Sequence, residues 1–169
     1  MKKIRKRYLP DGWYPESKKE CEQQILEIIR KNKEKNILAE SGGVAGIVPH
    51  AGWYFSGDIA ALVFMNLSNV KPDVVVLYGG HLSGYDKPLI VTDDLWETPL
   101  GEIEIHKDII KEIAKDIQFN EDDYPDNTIE IQLPFVKYFF NKSKIIPVRL
   151  PQSEKAIDIS QKITKLLFP

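Results

Sequence analysis

Four consecutive aliphatic residues, Val74-Val75-Val76-Leu77, restrict the possible folds more than any other segment of the chain. Such an unbroken run is typical of a strand in a sheet that is covered on both faces. We therefore predict a strand over residues 73–78, followed by Gly79-Gly80-His81. Because a doubly covered sheet needs elements to cover it, helices are expected on either side.

The other segments alternate between helical and strand patterns. Ser17 with Glu20 forms a capping box, and Asp58 is predicted to cap a well-buried helix. Helices are predicted over residues 17–36, 58–67, 107–117, 126–140 and 153–167, and further strands over residues 44–48, 89–91, 102–105 and 144–148. With 169 residues and 43% hydrophobic content, the chain is expected to form a single α/β domain. Its layered fold should contain a largely parallel or mixed sheet flanked by helices.

The charge balance argues against a broad attraction to polyanions. The 23 Lys and Arg residues against 25 Asp and Glu residues give a formal net charge of -2. We therefore expect neither nucleic acid nor a membrane as a partner. The basic block over residues 2–7 is the local exception, and we expect it to be solvated and partly disordered.

Cysteine usage and the N-terminal residues favour a soluble cytoplasmic protein. The single cysteine, Cys21, cannot form an intrachain disulfide. Its helical spacing from Ile25 and Ile28 predicts burial rather than reactivity. The N-terminal charges are not followed by an apolar stretch, and no run approaches the roughly 18 apolar residues that a membrane-spanning helix needs.

Two histidines are the best candidates for chemistry. His50 comes just after the predicted strand at residues 44–48, and His81 comes just after the predicted strand at residues 73–78. Because open parallel sheets bind ligands at the carboxyl ends of their strands, the two imidazoles could share an iron, copper or zinc ion. The alternative is that each histidine only caps a turn or bonds a loop. A third metal ligand is not identified.

Other polar and aromatic residues near these positions have two open interpretations. Trp53 and Tyr54 could wall a pocket beside His50 or be buried only for packing. Asn127 could cap a helix with Glu130 reaching back to it, or Asp126, Asn127 and Glu130 could belong to the site. His106 precedes a predicted helix, so a surface or capping role is expected for it.

Four short motifs follow one another along about the first 150 residues of the chain. They are Gly12-Trp13-Tyr14-Pro15, Val48-Pro49-His50-Ala51-Gly52 with Ser56-Gly57, Thr98-Pro99-Leu100-Gly101, and Ile129-Glu130-Ile131-Gln132-Leu133-Pro134-Phe135. Taken in their order and spacing, these motifs resemble the Memo family, also called AmmeMemoRadiSam system protein B.

The resemblance implies a fold similar to the catalytic subunit of class III extradiol dioxygenases, with His50 and His81 as metal ligands. It also implies a function as a metal-binding protein, with a non-haem iron or copper oxidoreductase acting on an unknown substrate as the leading hypothesis. The alternatives are a peptide- or phospholigand-binding module without turnover and a metal-dependent hydrolase. Asp126 or Glu130 would orient a ligand or move a proton. A radical-SAM partner and a homo-oligomer are further expectations.

The chain also departs from the family pattern. Tyr78-Gly79-Gly80 stands where relatives have Gly-Pro-Asn, and Asp126-Asn127-Thr128 stands where they have Glu-His-Ser. Relatives run on for about another hundred residues, so we expect this chain to be a fragment or a short relative that lacks the C-terminal part. Two neutral imidazoles leave the charge of a divalent ion uncompensated, so little or no catalytic turnover is expected.

Overall fold

The computed structural model describes residues 1–34 and 43–167 of the chain. The helices in these residues are α1 (Lys18–Glu34), α2 (Trp53–Leu67), α3 (Lys107–Asp116), α4 (Asn127–Glu130), α5 (Leu133–Phe139) and α6 (Lys155–Leu167). The strands are β1 (Ile4–Arg5), β2 (Val74–Leu82), β3 (Leu89–Ile90), β4 (Leu95–Trp96), β5 (Ile103–Glu104), β6 (Asn120–Glu121) and β7 (Lys144–Pro151). The end of the helix predicted over residues 17–36 lies outside the described residues.

Two mixed sheets organise the molecule. The larger sheet has the strand order β2-β7-β3-β6, in which β2 runs parallel to β7 and β3 runs antiparallel to β7. The smaller sheet has the order β1-β4-β5. Helices flank these sheets, so the predicted α/β class with a mixed sheet is confirmed. No helix in the described ranges combines the length and apolar character needed to cross a membrane.

The core is formed by apolar side chains of the helices packed against β7 and its neighbours. Phe135 of α5 is fully buried and stacks on Trp53 and Phe64 of α2, with ring centroids 4.1 and 5.5 Å away. Cys21 and Ile25 of α1 are also fully buried, which confirms the predicted burial of the cysteine. Each large apolar side chain buried in this way contributes about 1.5–3 kcal/mol to the free energy of unfolding.

The basic N-terminal block is solvated at Lys2, Lys3 and Lys6, as predicted, but its centre is a paired strand, so the predicted partial disorder is wrong there. β1 pairs with β4, and the Arg5 side chain is buried. Its guanidinium donates hydrogen bonds to the backbone carbonyls of Asp122 and Tyr124 and lies 4.6 Å from the ring centroid of Trp96. A buried guanidinium needs such partners, and the partners come from segments about 90 to 120 residues away in the sequence.

Residues 44–48 do not form the predicted strand. Val44 and Ile47 are almost fully exposed, and no strand in the described part of the chain pairs with this segment. Among residues 1–34 and 43–167, β2 is consequently an edge strand, and its valines are half-buried rather than covered on both faces. A strand forms only where a partner supplies backbone hydrogen bonds, which an apolar run cannot guarantee by itself.

Two predicted helices have different bounds in the structure. α2 begins at Trp53, with Gly52 as its N-cap, so Asp58 is an exposed residue inside the helix rather than its cap. The predicted helix over residues 126–140 is two helices, α4 and α5, because the chain restarts a helix with Pro134 in the first turn of α5. Proline is tolerated in a first turn, where its missing N–H has no helical partner.

Side chains on two helices are more exposed than the sequence predicts. Tyr54, Phe55 and Ile59 of α2 face solvent, so this helix is buried on one face only. The helical pattern over residues 153–167 predicts that Ile157 and Ile163 of α6 face the core, but only Ile163 is buried and Ile157 is exposed.

Candidate functional site

His50 and His81 lie side by side at the carboxyl end of β2. Their ring centroids are 5.1 Å apart and the ring planes are inclined by 74°. Both side chains are exposed, and both border an apolar groove of about 730 Å³ between residues 43–48 and β2. The structure therefore brings together the two imidazoles that the sequence analysis paired, while a shared metal stays a prediction.

A bulge in β2 sets the direction of His81. Gly79 lies opposite Arg149 and Leu82 lies opposite Pro151, so Gly80 and His81 together face a single residue of β7. His81 has a φ of 62°, and among the described residues it is the only one other than glycine with a positive φ. This left-handed conformation costs about 1–2 kcal/mol in a residue with a Cβ atom, and such strain is concentrated at functional sites.

Close packing of β2 against α4 explains one of the glycines before His81. A Cβ atom on Gly79 would lie 2.5 Å from the Thr128 hydroxyl oxygen and 2.8 Å from a side-chain carbon of Ile129. The N–H of Gly80 donates to the same Thr128 hydroxyl at 3.2 Å. The start of α4 is therefore held against the bulge that carries His81.

Asp126 connects the start of α4 to His81. One carboxylate oxygen accepts hydrogen bonds from the N–H and the hydroxyl of Thr128, so Asp126, and not Asn127, caps this helix. The other oxygen lies 3.0 Å from Nδ1 of His81 and 3.1 Å from a guanidinium nitrogen of Arg149. Burial acts to raise the pKa of Asp126, but the Thr128 hydrogen bonds and the Arg149 charge outweigh it and lower the pKa below its usual value.

An ionised Asp126 fixes the role of each ring nitrogen of His81. A carboxylate without a proton can only accept hydrogen bonds, so Nδ1 of His81 carries the hydrogen. In the neutral ring, Nε2 then keeps its lone pair. This is the nitrogen that remains available to a ligand.

Two amide side chains hold the chain around His50. Nδ2 of Asn127 donates to the His50 carbonyl oxygen at 2.7 Å, and Nε2 of Gln132 donates to the Pro49 carbonyl oxygen at 2.8 Å. Gln132 is buried, and its Oε1 atom is one of the buried polar atoms in the described residues for which no hydrogen-bond partner is present. Residues 49 and 50 are thus tied to the segment that also carries Asp126.

Glu130 stabilises the N-terminal segment. Its buried carboxylate accepts hydrogen bonds from the N–H groups of Tyr8 and Leu9 and from the Tyr14 hydroxyl, at 2.9 to 3.0 Å. Burial, together with the neighbouring Glu130 charge, raises the pKa of Tyr14 above its usual range. The described partners of Glu130 therefore belong to the N-terminus, and a catalytic role for it stays a prediction.

The predicted pocket aromatics and the third histidine lie elsewhere. Trp53 is packed in the core, where its Nε1 donates to the Ile131 carbonyl at 3.1 Å, whereas Tyr54 is 87% exposed. Neither side chain lines the groove beside the histidines. His106 is the N-cap of α3, with Nδ1 accepting from the Ile109 N–H, which confirms its predicted capping role.

Comparison with known proteins identifies the family. The family model described as Memo-like protein matches residues 5–167. The chain belongs to the Memo-like family. It is 31% identical over 157 residues to a MEMO1 family protein of Pyrobaculum arsenaticum, which covers 86% of this chain and 56% of the relative.

Two other relatives give the same assignment. A MEMO1 family protein of Caldivirga maquilingensis is 38% identical over 123 residues, covering 69% of this chain and 43% of the relative. One from Nitrosopumilus maritimus is 30% identical over 173 residues, covering 96% of this chain and 63% of the relative. The chain spans about half the length of the curated relatives it matches.

The donor set of this Memo-like chain fits part of a metal site. Nitrogen ligands suit iron, copper and zinc, and His50 and His81 provide two imidazoles at one edge. Among residues 1–34 and 43–167, no three or more His, Cys, Asp or Glu side chains are grouped so that they could hold a metal. Asp126 is placed to orient His81 through Nδ1 rather than to add a third ligand next to Nε2.

Three supporting residues of the Memo-like site were not recognised in the sequence. Arg149 and Asp122 gave no signal, because an isolated charge beside an apolar strand is usually solvated. Gln132 lies inside a family motif, yet nothing in the motif indicates that its amide reaches the Pro49 carbonyl. All three make contacts across long sequence separations, which only the fold reveals.

Proposed function

We propose that this Memo-like protein binds a divalent transition metal, which is iron, copper or zinc, through the imidazoles of His50 and His81. The observation that carries the proposal is the pairing of the two rings, 5.1 Å apart, at the carboxyl end of β2. Ligand nitrogens of one ion lie about 2.0–2.1 Å from it, so two imidazoles sharing an ion must be close neighbours. The hydrogen bond between Nδ1 of His81 and Asp126 leaves Nε2 of this ring available.

We further propose that a small organic substrate binds in the apolar groove beside the histidines, with oxidation as the leading candidate for its reaction. A bound ion would supply Lewis acidity or a redox centre at this edge. The chain's own residues then have separate tasks. Asp126 orients the His81 ring, Asn127 holds the His50 backbone, and apolar side chains of β2 exclude water from one wall of the groove.

The two-imidazole donor set also supports low turnover in this chain. Neutral imidazoles do not compensate the charge of a divalent ion. The family resemblance implies a histidine at the position of Asn127, and this chain has an amide there. An amide is a poor metal ligand and cannot transfer a proton near neutral pH. We therefore propose that this chain binds a metal ion but turns over substrate slowly or not at all.

A non-catalytic peptide-binding module is the second candidate. It is favoured by β2, which is an edge strand beside an apolar groove, because an extended peptide can add to such an edge as a further strand. Metal binding separates the two candidates, since a peptide-binding edge does not need the imidazoles.

The test is a titration of Zn(II), and of Fe(II) without oxygen, into the wild type, His50→Ala and His81→Ala. We expect about one ion per wild-type chain and a loss of affinity of more than about 100-fold in either variant. His106→Asn is the matched control, because it removes the other histidine of the chain but keeps a side chain that can cap α3.

Two outcomes would contradict the metal site. The wild type could bind no metal, in which case the peptide-binding module gains support. Alternatively, His106→Asn could lose as much affinity as His50→Ala, which would show that the measured binding is not specific to the paired rings.

A further inference from the structure

We propose that Arg149, held by Asp122, is a positioning residue that acts through Asp126 to set the tautomer and direction of the His81 ring. The proposal deepens the proposed function, on which it rests for the role of Nε2 of His81. Its central measurement is made on metal-free protein.

Four side chains form a continuous chain of charged and polar contacts. Nε and Nη2 of Arg149 donate to the two carboxylate oxygens of Asp122 at 2.8 and 2.7 Å. Nη1 of the same guanidinium lies 3.1 Å from Oδ2 of Asp126. That oxygen is also the one 3.0 Å from Nδ1 of His81.

The burial of these side chains decreases toward His81. The exposed fractions of the side chains are 2% for Asp122, 6% for Arg149, 7% for Asp126 and 50% for His81. The first three have little freedom to reorient, because close-packed interiors hold side chains in single rotamers. A buried, rigid chain of contacts therefore ends on an exposed ring, which would otherwise rotate.

Arg149 contacts Asp126 in addition to its two-point pair with Asp122. The Asp122 carboxylate also lies 3.8 Å from Arg5, so two buried guanidiniums share its charge. Asp126 is the second carboxylate of this cluster, and the third nitrogen of Arg149 is directed at the Asp126 oxygen that faces His81. This geometry keeps Asp126 ionised and in place, so that His81 must present Nδ1–H to it.

Arg5 provides an internal comparison for this role. It is as buried as Arg149, since the exposed fractions of the two side chains are 5% and 6%, and it also contacts Asp122, with 3.8 Å between Nη2 and Oδ1. Its hydrogen bonds go to the Asp122 and Tyr124 carbonyls and not to Asp126. Loss of Arg5 removes a buried cation from the same cluster while the contact from Arg149 to Asp126 remains.

The test is the His81 tautomer, read from long-range proton–nitrogen NMR spectra of metal-free protein with ¹⁵N-labelled histidine, at a pH where the ring is neutral. We expect Nδ1–H in the wild type and in Arg5→Met. In Arg149→Met we expect a mixture dominated by Nε2–H, the form preferred by a free imidazole. Arg149→Lys keeps a charge but cannot reach both carboxylates, so we expect an intermediate mixture.

The proposal is overturned if Arg149→Met keeps the wild-type tautomer, or if Arg5→Met changes the tautomer as much as Arg149→Met does. If Arg149→Met does not fold, Arg149→Lys decides, because an unchanged tautomer in that folded variant contradicts the proposal. A second arm measures Zn(II) affinity, which should fall about 10- to 100-fold in Arg149→Met and stay unchanged in Arg5→Met. If the wild type binds no metal, the proposed function fails while the tautomer result still stands or falls independently.

Discussion

The two histidines of the site are supported in different ways, although each follows an apolar run and lies near glycines. His81 belongs to β2, which pairs with β7 along its length, and a buried chain of charged side chains reaches its ring. His50 follows residues 44–48, which pair with no strand in the described ranges and expose Val44 and Ile47. Its backbone is held by Asn127 and Gln132 instead.

This difference indicates that one half of the site is fixed by the sheet and the other by side chains. Ladder hydrogen bonds are cooperative and distribute a local change over many residues. The two amide hydrogen bonds around His50 do not belong to such a ladder. Removal of either one should therefore loosen the backbone at His50 and leave β2 unchanged. Substitutions can therefore test the two supports separately.

The largest effect is expected for Trp53→Ala, which removes the anchor of the His50 side to the core. Trp53 stacks on Phe135 and donates to the Ile131 carbonyl. The lost burial and the cavity should lower the free energy of unfolding by about 3–5 kcal/mol, measured by urea denaturation. Tyr54→Ala is the matched control, because its neighbouring ring is exposed and its loss should change the value by less than about 0.5 kcal/mol. Equal losses in the two variants would show that Trp53 is no anchor.

A smaller and more local effect is expected for Gln132→Met. The substitution keeps the buried volume but removes the hydrogen bond to the Pro49 carbonyl, at a cost of about 1–2 kcal/mol. The backbone order parameter from ¹⁵N relaxation should fall at His50 and stay unchanged at Leu77 of β2. If the order parameter falls at both residues, the two sides of the site are coupled and the comparison drawn above is incorrect.

The smallest expected effect is the stability difference between the glycine and alanine variants at each histidine, which should have opposite signs at His81 and His50. His81 has a φ of 62°, so His81→Gly should be more stable than His81→Ala by about 1 kcal/mol. His50 is not among the described residues with a positive φ, so His50→Gly should be less stable than His50→Ala by about 0.5–1 kcal/mol. Thermal unfolding of the four variants measures both differences, and the same sign at both positions would contradict the strain assigned to His81.

Most of the fold could be predicted from local patterns, and the errors have physical causes. The capping box at Ser17 and the aliphatic run of β2 are local signals, and both are confirmed. Residues 44–48 have the same kind of run, but a strand also needs a partner, which the run does not encode. Asp58 is a typical cap residue, yet α2 begins five residues earlier, with Gly52 as its N-cap. Glycine is acceptable in a loop and at an N-cap, so its identity alone does not mark the start of the helix.

The exposed histidines of the site could be predicted from the sequence, but the buried side chains that hold them in place could not. His50 and His81 lie together as predicted, although residues 44–48 form no strand and His81 lies inside β2 rather than after it. The functions of Asp122, Arg149 and Gln132 depend on contacts between segments that are distant in the sequence. A single sequence does not show such contacts, because the identity of a charged residue does not tell whether it is buried or exposed.

The bulge in β2 implies that the site depends on the number of residues in this strand as well as on the residue types. Loss of the single codon for Gly80 would leave every histidine, aspartate and arginine of the site in the protein. The strand would then pair regularly with β7, and His81 would lie opposite Leu150. Because side chains alternate between the faces of a sheet, the imidazole would point to the face away from Arg149. In this region an in-frame deletion would therefore be more damaging than many substitutions.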